Sequence, residues 1–195
     1  MLKRVCYVIP SLSVGGTETQ LVRLTEGLVK DHEITVLCTR HAGALAGDIR
    51  RAGGFVRALN TRTGWDFTIQ RHLTRYFRGH RPDIVHSYMF GFDLAVNRAA
   101  RATGVPVVIS SRRQLSTWKK HRHILIQKRA NRYVDCIVAN SEAVRQFAIE
   151  QEDAAPSLFR VIHNGINVDN YGSTTDPQLL RKRYRVPFHR EVVGM

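Results

Sequence analysis

Acidic residues are scarce in this chain of 195 residues: 16 Asp and Glu face 30 Lys and Arg, a formal net charge of +14. Cysteine is scarcer still. Cys6, Cys38 and Cys136 are odd in number, lack C-x-x-C spacing and fall in apolar, strand-like runs, so they read as reduced core thiols, not a disulfide set or a zinc site. No Asp-x-Asp occurs anywhere, and no metal or cofactor is expected. G-x-G-x-x-G is also missing, and no acidic residue stands where a ribose partner would be expected, which argues against a dinucleotide-dependent dehydrogenase. No apolar run approaches the eighteen or so residues of a membrane span. The start, MLKRVCYVIP, begins a core strand and lacks the apolar region and cleavage site of a signal peptide, so a cytoplasmic location is expected.

What is present is an ordinary globular bulk, 43% hydrophobic and 24% charged, long enough for one large core. The positive charge admits nucleic acid, an anionic membrane surface or phosphorylated small molecules as partners, beside the plain alternative of an Arg-rich background. Nucleic acid is disfavoured. The most basic stretch, 112–132, offers too little stacking surface in Trp118 and neighbouring Tyr133. That stretch sets Lys119, Lys120, Arg122, Lys128 and Arg129 among Leu115, Trp118, Leu125 and Ile126. Such a helix can rest peripherally on anionic lipid, or pack Leu125, Ile126 and Ala130 onto a sheet with its charges solvated.

Along the chain, short apolar runs alternate with amphipathic ones. Strands are expected at Lys3–Ile9, Glu33–Cys38, Phe55–Leu59, Asp83–His86, Pro106–Ser110, Asp135–Ala139 and Leu158–His163. Helices are expected from Thr17, over 66–78 (with Phe67, Leu73 and Phe77), Phe92–Ala102, Ser116–Tyr133 and Ser141–Gln151. Strands alternating with helices, without hairpin turns, imply an α/β fold with a doubly wound, mostly parallel sheet. The tail differs. Residues 172–176 read as a linker, Asp176 caps a short helix to Tyr184, and 190–195 begins a further apolar run. The expected domains are 1–171 and the start of a second domain over 172–195.

The first unit raises a specific question, since Gly15-Gly16 stands between strand and helix. Thr17 followed by Gln20 matches a capping box, which makes Thr17 the expected N-cap. The glycines either let backbone N–H groups approach an anion at the helix N-terminus, or only supply positive φ to a tight turn. In an open α/β sheet, ligands bind outside the carboxyl ends of the strands. The residues there form a rim: Thr39-Arg40, Asn60-Thr61-Arg62, His86-Ser87, Ser110 to Arg113, Asn140-Ser141 and Asn164-Gly165. Arginine and helix N-termini suit phosphate, while Asn and Ser reach sugar hydroxyls. Ser141 can equally be the cap of the helix after it.

Four segments together carry a resemblance: VGGTETQLVRL, RPDIVHSYMFGFDLAVNRAARATGVPVVISSRR, VDCIVANSEAVRQF and RVIHNGINVDNY. In this order and spacing the chain resembles the N-terminal domain of family 4 (group 1) glycosyltransferases, retaining enzymes of the GT-B architecture in which two Rossmann-like domains face each other across a cleft. The resemblance implies a nucleotide-sugar donor, a glycan, lipid-linked or other acceptor, and a second domain that supplies most of the donor site and its glutamate pair. It implies catalytic roles for His86, Arg112 and Arg113 and substrate-binding roles for Gly15, Gly16, Asn140, Ser141 and Asn164. Two departures stand out: many relatives carry a histidine where this chain has Ser111-Arg112-Arg113, and the usual Asn-Gly-x-Asp is here Asn164-Gly165-Ile166-Asn167. The pairs Glu18/Glu26 and Glu142/Glu150 share the spacing of the family's catalytic glutamates but lie on expected first-domain helices, so neither receives a role. The alternative reading is a basic Rossmann-like binding module without transferase activity.

Overall fold

The structure, a computed structural model, describes residues 2–61, 67–88, 91–168 and 176–191. Its centre is β1 (Lys3–Ile9), whose last five residues are all buried. A strand hidden on both faces needs an unbroken apolar run, and Val5 to Ile9 supplies one. On one side lie β2 (His32–Cys38) and β3 (Phe55–Ala58). On the other come β4 (Ile84–Ser87), β5 (Val107–Arg112), β6 (Cys136–Ala139) and β7 (Phe159–Val161). The order is β3-β2-β1-β4-β5-β6-β7, and every pairing is parallel.

Alternation along β1 divides the core, because successive side chains of a strand point to opposite faces. Val5, Tyr7 and Ile9 pack with Leu21 and Val22 of α1 (Gly16–Leu28) and Ile49 of α2 (Ala46–Arg51). Cys6 and Val8 pack on the opposite face with Leu73 and Phe77 of α3 (Phe67–His80) and Val96 and Ala99 of α4 (Asp93–Ala102). Ala148 of α6 (Glu142–Glu152) joins the second cluster. The three thiols are free, with Cys6 and Cys38 buried and Cys136 partly so.

Two expectations are corrected. Helix α1 begins at Gly16 with Gly15 as its N-cap, and no side chain caps it; Thr17 sits within the first turn, and Thr19 Oγ1 donates to the Gly15 carbonyl at 2.8 Å. The basic helix is also shorter than its composition suggests. Helix α5 spans His121–Asn131, and residues 113–120 form a loop whose Lys119 is drawn inward by Glu152. Leu125, which one of the two alternatives packs onto the sheet, is 49% exposed, and Gln127 and Ala130 are the buried residues of that helix.

Contacts divide the chain into two compact units, Met1–Asn164 and Gly165–Met195. In the second, Asp176 accepts from the Gln178 N–H at 2.8 Å and caps α7 (Pro177–Arg183), with Pro177 in the first turn where its missing N–H costs nothing. Of the apolar run expected at 190–195, residues 192–195 lie outside the described residues.

Candidate active site

The chain runs outward from β1 in both directions, so the connections leaving β1 and β4 go to opposite faces. Between them opens the crevice at which doubly wound sheets bind ligands. Gly15 and Gly16 stand at its edge. Gly15 is extended, with φ of −167°, and neither glycine lies in the left-handed region. A demand for positive φ therefore does not explain the pair. A Cβ at Gly16 would meet nothing within 4 Å, whereas one at Gly15 would strike the Glu18 carboxylate. The first backbone N–H groups of a 13-residue helix thus face the crevice without a capping side chain, the setting in which helix N-termini bind anions.

His86 is near the end of β4, only 7% exposed, with its ring 5.5 Å from that of Tyr7 and 4.5 Å from that of Tyr88. Its Nε2 is 2.8 Å from Ser111 Oγ on β5, and Ser111 also hydrogen-bonds Tyr88. Burial, reinforced by the nearby Arg113 cation, pushes its pKa down to about 3, so the imidazole is neutral at physiological pH. A neutral ring tied to a hydroxyl can position a polar chain or accept a proton weakly. It is not a standing positive charge.

The two consecutive arginines part company at the end of β5. Arg112 turns inward. Its Nε and one terminal nitrogen grip both oxygens of Glu152 at 2.8 and 2.9 Å, and the other terminal nitrogen reaches Asp93 Oδ2 at 3.3 Å. Asn131 bridges Arg112 and Glu152, Gln127 donates to Asp93 at 2.9 Å, and Ser87 donates to the other Asp93 oxygen. Lys119 Nζ completes the set 3.5 Å from Glu152, its side chain only 3% exposed. Burial opposes ionisation of Glu152, yet Arg112, Asn131 and Lys119 hold its carboxyl below the usual range; burial lifts that of Asp93 above it despite Arg112. Removing one member of such a buried set costs about 3–5 kcal/mol, because a charge is left unpaired. Arg112 therefore braces the ends of α4, β5, α5 and α6, its charge held by Glu152 and Asp93 where it borders the cavity at the strand ends.

Arg113 goes the other way. Its guanidinium lies 5.5 Å over the Tyr88 ring and donates to Asn164 Oδ1 at 2.5 Å. Asn140 Nδ2 donates to the Arg113 carbonyl at 3.1 Å, which fixes the turn after β5. Ser141 is the cap of α6, accepting from the Val144 N–H at 3.2 Å. Of the sequence-assigned residues, His86, Arg113, Asn140 and Asn164 are thus gathered along the carboxyl ends of β4 to β7. Arg62, on the expected rim, lies outside the described residues. Among the described residues no His, Cys, Asp or Glu cluster could hold a metal ion.

Sequence reasoning passed over Tyr88, Asp93, Gln127 and Glu152. Their roles come from partners far along the chain, as the 40-residue separation of Arg112 and Glu152 shows. A possible signal was Asp93 at the first turn of an apolar helix, directly after a sheet edge.

An open, seven-stranded parallel sheet flanked by helices, with its switch point between β1 and β4, defines a Rossmann-like α/β domain. The model of Glycosyltransferase Family 4 matches residues 14–170, and the chain belongs to that family. No curated protein matches it. Among solved structures it is similar to Anabaena Alr3699/HepE in complex with UDP, at 15% identity and a TM-score of 0.78, over 94% of this chain and 50% of that one. It also resembles a glycosyltransferase from Rickettsia africae (17% identity, TM-score 0.69, 96% and 51% covered) and S. aureus MnaA bound to UDP (13%, 0.67, 94% and 52%). At these identities the likeness concerns the fold, which is that of one half of a GT-B enzyme. The chain spans about half the length of each of these structures.

Proposed function

We propose that this chain is the acceptor-side domain of a retaining glycosyltransferase, which moves a sugar from a nucleotide-sugar donor to a glycan, lipid-linked or other acceptor. In this reading residues 1–171 form the domain, 172–195 lead towards a second, donor-side domain, and activity requires both. The observation that carries the reading is the Gly15-Gly16 entry to α1: extended backbone, open space at Gly16 and uncapped N–H groups at the sheet's switch point. Such a site stabilises the charge that develops on a departing diphosphate without a metal ion, through preorganised N–H donors. Solved relatives of the fold carry UDP and UDP-glucose, which supports a nucleotide-sugar donor. Arg113 and neutral His86 then face the reacting groups, while Arg112 keeps their loop in place.

A membrane-facing role is supported separately. Leu115, Trp118 and Leu125 are 50%, 53% and 49% exposed, and Lys120, Arg122 and Arg129 are exposed near them. This suits a peripheral contact with anionic lipid in which apolar groups dip below a basic collar. Among the described residues no helix is long and apolar enough to cross a membrane.

The transferase reading is tested by Gly16→Val in the complete enzyme. The open space around Gly16 predicts a native circular-dichroism spectrum, and the blocked approach predicts a turnover loss of about a hundredfold, the scale of one lost oxyanion-type contact. Activity near that of the unsubstituted enzyme, with a native spectrum, would reduce the loop to a simple turn.

A further inference from the structure

The excess of positive charge gathers on one side of the sheet. Helices α1 and α2, which cover one face, carry Glu18, Glu26 and Asp48 against Arg23, Arg50 and Arg51, an even balance. On the other face α3 has no acidic residue, and the one acid of α4, Asp93, is buried against Arg112. From Phe67 to Val134 the sequence holds no acid besides Asp83 and Asp93, and Asp83 is paired with Arg4. A uniformly Arg-rich background would load both faces alike.

Helix α3 carries the densest part of this charge. Ile69, Leu73 and Phe77 recur at helical spacing and are buried, which turns Arg71, Arg75 and Arg78 outward, all three exposed. None of the three forms an ion pair among the described residues. At a rise of about 1.5 Å per residue they follow one another along the axis by about 6 and 4.5 Å, close to the length of one pyranose residue. With Thr68 and Gln70 they line a groove of about 710 Å³, and Arg78 also borders a second groove of about 520 Å³ with Arg4 and Arg81. The helix takes the chain from the carboxyl end of β3 to the amino end of β4. Its arginine stripe therefore leads from the crevice end down the outside of the domain.

The same face narrows the class of partner. A bilayer contact of this kind draws on apolar side chains that dip below the charges, and neither α3 from Thr68 on nor α4 exposes a large one. Nucleic acid calls for exposed rings on which bases stack. Tyr76 is already stacked on His80 at 3.9 Å and covered by the Arg57 guanidinium at 5.5 Å. The stripe suits a flexible chain with a carboxylate on each sugar, which arginine forks hold in pairs of hydrogen bonds. We propose that the outer face of α3 is the track on which an acidic polysaccharide, the already built part of the acceptor, lies while its end is extended in the crevice. The word acceptor rests on the transferase reading; the surface rests on α3 alone.

The test is calorimetric titration of the 195-residue chain with polygalacturonate, with neutral dextran as the blank, at about 0.15 M ionic strength. Saturable binding of polygalacturonate is expected. Arg71→Ala with Arg75→Ala and Arg78→Ala should weaken it at least about tenfold, the scale of three exposed ion pairs, and flatten its salt dependence. Alanine at exposed helix positions leaves the fold intact, which circular dichroism checks, and lysine at the same three positions should restore most of the affinity. Lys30→Ala with Arg50→Ala and Arg51→Ala removes as many exposed charges from the α1–α2 side and should change affinity by less than about twofold. No binding of polygalacturonate, an equal loss in both triple variants, or loss of phosphatidylserine-vesicle binding in the α3 variant would overturn the proposal. If the polymer binds through α3 but the complete enzyme transfers no sugar, the track stands and the transferase reading falls. Transfer to an acidic polymer with an unchanged KM in the α3 variant would overturn the track alone.

Discussion

His86 carries the clearest pH signature in the molecule. Burial first, then the Arg113 cation, lowers its pKa from 6.5 to about 3. The folded state therefore refuses a proton that the unfolded chain accepts below about pH 6.5. The stability contributed by the neutral ring is full above that value and is lost as pH falls towards 3. Between pH 7 and pH 5 the loss amounts to about 2 kcal/mol, at 1.36 kcal/mol per unit. His86→Gln keeps a polar group opposite Ser111 and removes the titration, so urea denaturation at the two pH values should show a difference smaller by about that amount. An unchanged pH dependence would mean that His86 titrates normally. The position of this residue was readable from the sequence as a polar group ending an apolar run. Its neutrality was not, because that depends on Tyr7, Tyr88 and Arg113 closing around it.

The elements were legible in proportion to how local their signals are. All seven strands appear within a residue or two of their apolar runs, and the run buried on both faces, Val5 to Ile9 of β1, leaves the least freedom in composition. Asp176-Pro177 and Ser141 marked two helix starts through capping chemistry that acts within three residues. The entry to α1 escaped this logic, because Gly15 caps the helix without a side chain. The loop before α5 escaped it as well: Lys119 reads as a solvated charge until Glu152, 33 residues later, is folded against it. This changes which substitutions can test lipid binding. Lys119→Glu would set a second carboxylate beside a buried one and report on folding. Lys120→Ala with Arg122→Ala removes two exposed charges instead. At about 1 kcal/mol per basic residue near an anionic surface, the pair should weaken binding to phosphatidylserine vesicles by about thirtyfold at low salt. Thermal stability should hardly change. Equal co-sedimentation of both proteins would remove this helix as the contact.

At the scale of the whole molecule, topology is what gives the polar residues a common place. The order β3-β2-β1-β4-β5-β6-β7 puts the Gly15-Gly16 entry, His86 and Arg113 along one edge of the sheet, though they are widely spaced in the chain. The alternation of strands and helices was enough to anticipate this edge. The split between an inward Arg112 and an outward Arg113 was not, since it depends on Glu152, 40 residues beyond Arg112, and Asn164, 51 residues beyond Arg113, folding against them. The net charge of +14 then acts as a long-range attraction for anionic ligands, while local geometry selects among them. The proposed function has the α1 entry receive the donor diphosphate, with this domain holding only part of the donor site. The most direct measurement is a titration of the 195-residue chain with UDP- and GDP-sugars, followed by amide nitrogen–proton shifts. Weak binding is predicted, around millimolar, the regime of about 4 kcal/mol, with the largest shifts at the amides of Gly15, Gly16, Thr17 and Glu18. Sub-micromolar affinity, or shifts centred away from those four amides, would place the donor diphosphate elsewhere.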